Sequence, residues 1–236
     1  MKTSSDDFYI NGEYLKHNQT WGLEDVKWKA NAIYKLLKKN NTPVSNIVDV
    51  GCGSGGILEE LAQKDLKIQT LTGYDISPDA FAIATKRHTG KVGFVNADYT
   101  QNDLPPVDLL LAIDVIEHVD DFYGFLRKLK KRSSHFVFHI PLDLCCRSII
   151  KPHILLQQRE AVGHIHYFTK EMALWFLQDT GYTIIDFVYT MPEIDVDPPR
   201  SFKQFVKKQL RRFSFFINKE LSIKLWGGYS MMILLK

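Results

Sequence analysis

The sequence predicts an α/β fold in which a mostly parallel sheet carries helices on both faces. Two observations predict it. From residue 46 onward, short apolar runs rich in β-branched residues alternate with amphipathic stretches of helical period. The run 107–114 is almost entirely apolar, as expected for a strand buried on both faces. A chain of 236 residues suffices for one such unit, so we predict a single domain over 1–236.

The predicted elements follow this alternation in order. A helix over 23–39 precedes the first strand. The predicted strands cover 46–50, 68–75, 91–97, 107–114, 134–141, 182–190 and 229–236. The predicted helices between them cover 57–64, a stretch that starts at Ser77 and Pro78, 120–131, and a stretch from Thr169 to about 178. Ser77 suits the N-cap position and Pro78 the first helical position.

Two segments interrupt the alternation. We divide the domain into an N-terminal helical segment 1–44, a core 45–141, and two insertions, 142–166 and 191–227. The insertions follow the fifth and sixth strands, so they should lie near the carboxyl edge of the sheet. Ligands of open α/β sheets bind at this edge. Both insertions are therefore expected to cap a substrate.

Composition excludes several classes of protein. The net charge of only +3 does not indicate a nucleic-acid binder. The three cysteines, Cys52, Cys145 and Cys146, lack zinc-site spacing and indicate a reducing compartment. The polar start of the chain lacks the apolar centre of a signal peptide, and no apolar run reaches about 18 residues. We therefore expect a cytoplasmic protein without a transmembrane segment.

The strongest local signal is a glycine-rich turn between a strand and a helix, at 49–56. Glycines allow a tight turn and a close approach of the backbone to a ligand. Gly51, Gly53 and Gly56 also fit the spacing G-x-G-x-x-G of dinucleotide sites, so NAD or FAD stays open on this turn alone. Asp75 ends the second strand 24 residues after Gly51, where a carboxylate can accept both ribose hydroxyls of either ligand.

The resemblance to a known family rests on five motifs. They are VDVGCGSGG (48–56), GYDIS (73–77), NADY (96–99), AIDVIEHVDD (112–121) and GHIHYFTKEMALWFLQDTGY (163–182). Together they resemble class I methyltransferases that use S-adenosylmethionine (SAM), in the small-molecule group that includes the ubiquinone-pathway O-methyltransferases. The resemblance implies a Rossmann-like sheet of seven strands in the order 3-2-1-4-5-7-6, with the last strand antiparallel between the fifth and sixth.

The resemblance also implies the reaction and the cofactor residues. A methyl group would pass from SAM to a small-molecule acceptor, preferably to an oxygen, and leave S-adenosylhomocysteine (SAH). The expected cofactor contacts are Asp49, Gly51, Cys52, Gly53, Gly55, Asp75, Ile76, Asp98, Tyr99, Ile113 and Asp114. Asp49 would pair with the ammonium of the methionine part, and Asp98 would accept from the adenine amino group. Tyr14 and Trp21, before the first strand, are candidates for lining the pocket.

Three histidines are the candidate catalytic residues: His118, His164 and His166. A methyl acceptor that is an alcohol needs a base, and His164 or His166 in the first insertion should face the acceptor. If 114–118 form a helical turn, Asp114, Glu117 and His118 share one face, which could bind a divalent cation. The metal-assisted families that this pattern resembles carry Glu where this chain has Asp114. We therefore predict no metal, and we expect His139 to be a core residue.

The last feature is a basic amphipathic stretch, 200–217. Its first part, 200–212, carries six basic residues and no acid, and apolar residues recur there at helical spacing. Three roles are open: an apolar side packed on the body with solvated lysines outside, a cover over an anionic or lipid-like acceptor, or docking on an anionic membrane.

Two alternative functions also remain open. They are a metal-assisted RNA 2′-O-methyltransferase and a non-catalytic SAM-binding subunit. A basic and aromatic nucleic-acid module is not apparent in the sequence.

Overall fold

A computed structural model describes residues 6–87, 90–101, 103–191, 195 and 201–236. The N-terminal segment forms three helices, which are α1 (Asp7–Ile10), α2 (Glu13–His17) and α3 (Val26–Lys39). Helix α3 carries Ile33, Leu36 and Leu37 on one side, and all three are buried. The spacing of these apolar residues at three and four positions is what drives the helix onto the sheet.

The sheet has the predicted strands and the predicted order. Its strands are β1 (Asn46–Val50), β2 (Thr70–Asp75), β3 (Gly93–Asn96), β4 (Val107–Ile113), β5 (Ser133–Pro141), β6 (Ile184–Thr190) and β7 (Ser230–Leu235). They lie in the order β3-β2-β1-β4-β5-β7-β6. The strand β7 runs antiparallel to both β5 and β6, and the other strand pairs are parallel. The expected fold class is thus confirmed.

The remaining helices cover both faces of this sheet. They are α4 (Gly56–Leu61), α5 (Pro78–Arg87), α6 (Phe122–Lys130), α7 (Cys146–Ile150), α8 (His153–Val162), α9 (Lys170–Asp179), α10 (Phe202–Ile217) and α11 (Lys219–Trp226). Predicted boundaries differ from these by up to three residues, as is usual for helix and strand ends. The predicted cap of α9 is present, since the hydroxyl of Thr169 accepts from the backbone N–H of Met172.

The core lies in two layers, one on each face of the sheet. Successive residues of β4 point alternately into the two layers. Leu109 and Leu111 pack in the layer that α3 and α4 cover. Leu110 belongs to the opposite layer, which includes residues of α6 and α9. All three leucines are fully buried, each contributing about 1.5–3 kcal/mol of hydrophobic stabilisation. Burial on both faces explains why this strand is a continuous apolar run.

The two insertions are helical. The segment 142–166 holds α7 and α8, and the described part of 191–227 holds α10 and α11. Residues 192–194 and 196–200, including the predicted basic residue Arg200, lie outside the described residues, as do 1–5 of the N-terminal segment. None of the described helices is both long enough and apolar enough to cross a membrane.

Candidate active site

Two cavities open at the carboxyl edge of the sheet, on either side of the glycine turn. The larger has a volume of about 670 Å³ and is lined by the N-terminal segment, the ends of β1 and β4, and the first insertion. The smaller has a volume of about 490 Å³ and is lined by the ends of β2 and β3. Gly51 lines both cavities. An extended ligand that crosses Gly51 would occupy both.

The glycine turn is held to the end of β2. Gly51 and Gly53 have φ of 73° and 52°, the left-handed region that favours glycine. The carboxylate of Asp75 accepts from the N–H of Gly53 at 2.8 Å and from the N–H of Ser77 at 2.8 Å. Each oxygen of Asp75 keeps a second lone pair. The predicted ribose residue therefore braces the turn and can still accept further hydrogen bonds.

Asp49 is a buried carboxylate of the larger cavity without a hydrogen-bond partner in the part of the chain that the structure describes. Its side chain is fully buried at the end of β1, and neither oxygen has a hydrogen-bond partner among the described residues. Burial, with the nearby charge of Asp75, raises the pKa of Asp49 to about 7. A buried carboxyl group without a partner is costly to ionise, so the site suits a ligand that supplies a positive group.

Several of the predicted cofactor residues, including the predicted adenine residue Asp98, line the smaller cavity. Ile76, Asp98 and Tyr99 all contribute to its wall. The carboxylate of Asp98 accepts from the N–H and the hydroxyl of Thr100, at 2.8 and 3.0 Å, and so shapes the turn after β3. The buried ring of Tyr99 lies edge-on to Tyr74, with ring centroids 4.9 Å apart. The wall of this cavity thus combines aspartates, Asp75 and Asp98 among them, with aromatic and aliphatic side chains.

The other predicted cofactor residues divide into two groups. Cys52, Ile113 and Asp114 line the larger cavity. Gly55 lines neither cavity, and its prediction as a cofactor contact stays a prediction. Its φ is 75°, and a Cβ atom there would overlap the ring of Phe94. Gly55 is needed for packing of the turn against β3.

Aromatic residues of the N-terminal segment close the larger cavity. Tyr14 and Trp21 both line it, with their ring centroids 4.6 Å apart. A Cβ atom at Gly53 would lie 2.7 Å from Cδ1 of Trp21, so the indole lies directly against the glycine turn. The N-terminal helices therefore cover the turn.

A chain of ion pairs lies beside the end of β4. Nζ of Lys29 lies 2.6 Å from Asp25 and 2.7 Å from Asp114, and Asp114 lies 2.5 Å from Nδ1 of His139. Nε2 of His139 bonds the hydroxyl of Thr190 at 2.8 Å. Burial raises the pKa of Asp114, but His139 and Lys29 outweigh it and hold the pKa well below its ordinary range. Both oxygens of Asp114 are thereby engaged, and its φ of 55° is rare for a residue with a side chain.

Glu117, His118 and His164 converge on one point of the same cavity. Oε1 of Glu117 lies 3.8 Å from Nε2 of His118 and 3.9 Å from Nε2 of His164. One ligand atom from each residue lies within 4.8 Å of the others. The carboxylate of Glu117 is fully buried and has no hydrogen-bond partner among the described residues. Burial, followed by the charge of Asp114, raises the pKa of Glu117 well above its ordinary value.

Hydrogen bonds at Nδ1 of His118 and of His164 orient the two imidazoles so that both Nε2 atoms face Glu117. The hydroxyl of Tyr9 donates its one proton to the carbonyl of Val162 at 2.9 Å. In its second hydrogen bond, at 2.7 Å, this hydroxyl therefore accepts from Nδ1 of His118. Burial and the neighbouring His164 lower the pKa of His118 to about 3, so its ring is neutral and its Nε2 carries a lone pair. Nδ1 of His164 lies 2.9 Å from the carboxylate of Asp143. Histidine ligands of metal ions have this arrangement.

The structure therefore changes the composition of the cation site considered from the sequence. The sequence placed Asp114 with Glu117 and His118, and it predicted no metal. In the structure Asp114 is engaged by Lys29 and His139, and His164 takes its place in the cluster. The donor set of two imidazoles and one carboxylate, with converging lone pairs, fits a divalent transition-metal ion.

His166, predicted as a base, lies outside both cavities. Its Nε2 lies 3.0 Å from the carbonyl of Val119, to which it donates. Its ring packs edge-on against Phe122, with centroids 4.9 Å apart, and beside Phe168. This location, away from the residues that line the two cavities, does not bring the ring to an acceptor there. We therefore give His166 a packing role.

Sequence reasoning missed three residues of this site. Tyr9 and Asp143 orient the histidines, and Lys29 pairs with Asp114. Only Lys29 had a local signal, since Asp25 precedes it by four residues on a helix. Tyr9 lies 109 positions from His118, so no local spacing could have joined them. The first insertion does line the larger cavity, whereas no described residue of 191–227 lines either cavity.

Comparison with known proteins is consistent with this geometry. Residues 24–186 match the family model of the methyltransferase domain. Over 88 residues the chain is 35% identical to a ubiquinone biosynthesis O-methyltransferase of Methylobacterium sp. (strain 4-46), covering 34% of this chain and 33% of that protein. Over 100 residues it is 31% identical to a small RNA 2′-O-methyltransferase of Arabidopsis thaliana, covering 37% of this chain and 11% of that protein. These matches thus span a third or less of the relatives' length.

A solved structure of similar fold covers nearly the whole chain. It is the magnesium protoporphyrin IX methyltransferase of Synechocystis PCC 6803, crystallised with bound SAH. The TM-score is 0.61 at 15% sequence identity, with 98% of this chain and 96% of that chain covered. At this sequence identity the likeness concerns the fold.

Proposed function

The chain belongs to the methyltransferase domain family, as a class I SAM-dependent methyltransferase, and on that premise we propose that it methylates a hydroxyl oxygen of a small molecule. The observation that carries the proposal is the convergence of Glu117, His118 and His164 on the cavity that Asp49 also lines. A methyl donor and an oxygen-binding cluster would then share one cavity. The similarity to an O-methyltransferase supports the same acceptor atom.

We propose that the two cavities hold the two ends of SAM. Asp49, buried without a partner, would pair with the ammonium of the methionine part, directly or through water. Asp75 would accept the ribose hydroxyls with the lone pairs that Gly53 and Ser77 leave free. Ile76, Asp98 and Tyr99 would then surround the adenine in the smaller cavity. The methyl group would then lie in the larger cavity, on the side of Glu117.

The acceptor oxygen would bind at the cluster of Glu117, His118 and His164. These three residues would hold a divalent cation through Oε1 and the two Nε2 atoms. Such a cation lowers the pKa of a hydroxyl bound to it, which is what methylation of an alcohol requires. Asp143 and Tyr9 hold the imidazoles in the tautomer that leaves Nε2 unprotonated.

The methyl transfer itself is an in-line displacement. SAM supplies a methyl group bound to a positively charged sulfur. The acceptor hydroxyl would give up its proton to water, and its oxygen would attack the methyl carbon. The carbon–oxygen bond would form as the carbon–sulfur bond breaks, with the electron pair of that bond passing to sulfur. The protein mainly has to align oxygen, carbon and sulfur, and effective positioning of this kind is worth about 7–11 kcal/mol. The walls formed by Trp21, Tyr14 and the first insertion would provide this alignment.

The proposal is tested by incubating the protein with methyl-labelled SAM, a divalent cation and a panel of phenols, catechols and aliphatic alcohols. We expect label in a hydroxylated compound and equimolar SAH. The Glu117→Gln protein should lose this turnover, whereas His166→Ala should keep it in the folded fraction. Labelled products that carry the methyl group only on nitrogen or carbon would contradict the proposed acceptor.

A second acceptor class is favoured by the same cluster. The chain is 31% identical over 100 residues to a protein whose name says that it methylates the 2′ oxygen of small RNA. An RNA acceptor requires binding that weakens steeply with salt, because phosphate contacts release counterions. Titration of a short RNA at two salt concentrations separates the two classes. Salt-dependent RNA binding together with label in RNA would favour the RNA acceptor.

A further inference from the structure

Helix α10 turns its apolar side away from the protein. Seven apolar residues recur at spacings of three and four, so they share one side of the helix. They are Phe202, Phe205, Val206, Leu210, Phe213, Phe216 and Ile217, and all seven are exposed. Phe202, Phe213 and Phe216 expose 82%, 64% and 87% of their surface. An exposed apolar row of this size is unusual for a protein surface and indicates a binding surface.

The opposite side of α10 is fixed to the body. The guanidinium of Arg211, only 2% exposed, donates to the carbonyls of Gly227 and Gly228 and lies over the ring of Tyr229. The ring of Phe215 stacks on Tyr229, with centroids 5.4 Å apart. Ser214 bonds Ser222 at 2.8 Å. The helix cannot rotate its apolar side inward without breaking these contacts. Of the three roles considered from the sequence, packing of the apolar side on the body is therefore not what the described residues show.

The charge of this helix is of one sign. The segment 201–217 contains five basic residues and no acid. At 100° per residue, Lys203 and Arg212 border the apolar row on its two sides. Arg212 also lies 3.7 Å from the carboxylate of Asp195. Apolar residues bordered by basic ones are typical of helices that lie in the plane of a membrane surface.

We infer that α10 docks on the surface of an anionic lipid bilayer. The phenylalanine and aliphatic side chains would enter the boundary between headgroups and acyl chains, and the bordering Lys203 and Arg212 would meet lipid phosphates. The exposed Leu221 and Leu225 of α11, which packs on α10, would extend the apolar surface. An RNA partner would use the basic residues but would leave the phenylalanine row in water.

The docking surface is connected to the larger cavity through Tyr229. This ring contacts Arg211 and Phe215 of α10, and Tyr229 also lines the cavity. Docking would therefore occur beside one wall of the site. The inference itself depends only on the exposed helix and does not require the proposed acceptor to be correct.

The test is sedimentation of the full chain with lipid vesicles. Two kinds are used: equal parts of phosphatidylcholine and phosphatidylglycerol, and phosphatidylcholine alone. We expect the protein to sediment with the anionic vesicles and much less with the neutral ones. Raising the salt from 0.1 to 1 M should release protein, because the Debye length falls from about 10 to about 3 Å.

Matched variants show whether vesicle binding depends on α10 or on any exposed apolar side chain. The double change Phe213→Ser and Phe216→Ser should lower the partition coefficient on anionic vesicles by about tenfold or more, because two apolar anchors are lost. Trp175→Ser on α9 removes a residue of similar exposure, 63%, and should leave the partition coefficient unchanged. Circular dichroism and the melting temperature of each variant show that it is folded.

Three outcomes would overturn the inference. The first is a folded wild-type protein that stays in solution with both kinds of vesicle. The second is equal loss of binding in Trp175→Ser and in the double variant. The third is a dimer in light scattering that the double variant dissociates, since the apolar row would then be covered by a second copy.

Discussion

The carboxylate of Asp143 lies 2.9 Å from Nδ1 of His164, and this contact directs Nε2 of His164 toward Glu117. Both residues are mostly buried, so the imidazole has few other ways to satisfy Nδ1. Asp143 is contributed by the first residues after β5 and His164 by the segment after α8. Two separate parts of one insertion thus combine to orient a single ring.

Removal of this orienting carboxylate is expected to reduce activity. Asp143→Ala should lower turnover by about 10–100-fold, the usual cost of losing an outer partner of a ligating histidine. SAM affinity should change little, because the carboxylate of Asp143 bonds Gln158 and His164, neither of which is among the proposed SAM contacts. Steady-state kinetics with the identified acceptor, together with SAM calorimetry, measure both quantities. Unchanged turnover in folded Asp143→Ala protein would remove Asp143 from the site.

The two histidines of the first insertion should respond differently to truncation. His164→Ala should lower turnover by about 100-fold or more, because an oxygen-binding group is lost. His166→Ala is the matched control, because its ring packs on Phe122 and donates to a backbone carbonyl. That variant should lose stability and keep its turnover per folded molecule. If His166→Ala abolished turnover at an unchanged melting temperature, our placement of the acceptor site would be wrong.

Metal removal tests the donor set directly. After dialysis against a chelator, added Mn²⁺ or Co²⁺ should bind with one site per chain and raise the melting temperature by mass action. Glu117→Gln should weaken this binding by at least about tenfold, since the neutral amide is a poorer ligand than the carboxylate. Calorimetry with the metal alone gives the readout without any turnover. If wild-type and Glu117→Gln protein bound the metal with equal affinity, Glu117 would not be a ligand of the cation.

Asp49 predicts a pH-dependent stability in the absence of SAM. Its pKa in the folded protein is about 7, above the value near 3.9 that it has in an unfolded chain. The folded state therefore binds more protons between about pH 4 and about pH 7, and its stability falls as the pH rises through this window. Asp49→Asn should remove this decrease in the free energy of unfolding, which is on the order of 1–4 kcal/mol at neutral pH.

The same variant should lose affinity for SAM, because an amide cannot pair with an ammonium as a carboxylate does. Denaturant unfolding at several pH values and SAM calorimetry at one pH measure the two effects. Asp79→Asn, an acid on α5 that lines neither cavity, is the control. If the free energies of unfolding of Asp49→Asn and wild-type protein differed by the same amount at every pH, the pKa of Asp49 would not be raised.

Asp75 should contribute to both cofactor binding and the glycine turn. Asp75→Ala leaves the ribose hydroxyls of SAM without an acceptor, so we expect binding weaker by about 1–3 kcal/mol. It also leaves the N–H groups of Gly53 and Ser77 without their partner, so the melting temperature should fall. Adenosine, which shares the ribose, should lose affinity to a similar degree. An unchanged dissociation constant for SAM would contradict the ribose role.

Much of the fold could be predicted because its signals are local. The glycine turn, the N-cap at Thr169 and the apolar run of β4 depend on residues within a few positions of each other. Asp49 and Asp75 belong to the neighbouring parallel strands β1 and β2, which end at the same edge of the sheet, so the charge of Asp75 acts on Asp49. The strand order came from the resemblance, since periodicity does not specify the order of strands in a sheet.

The sequence by itself determined that the chain alternates strands and helices, that a glycine turn follows the first strand, and that 202–217 has one apolar side. Only the tertiary structure decided that His164 faces the cavity while His166 packs on Phe122, and that α10 presents its apolar side to solvent. The physical reason is that Asp143, Val119 and Tyr229 make these choices from distant positions, through hydrogen bonds and ring contacts. A periodic pattern defines the side of a helix, whereas the surrounding fold decides what that side meets.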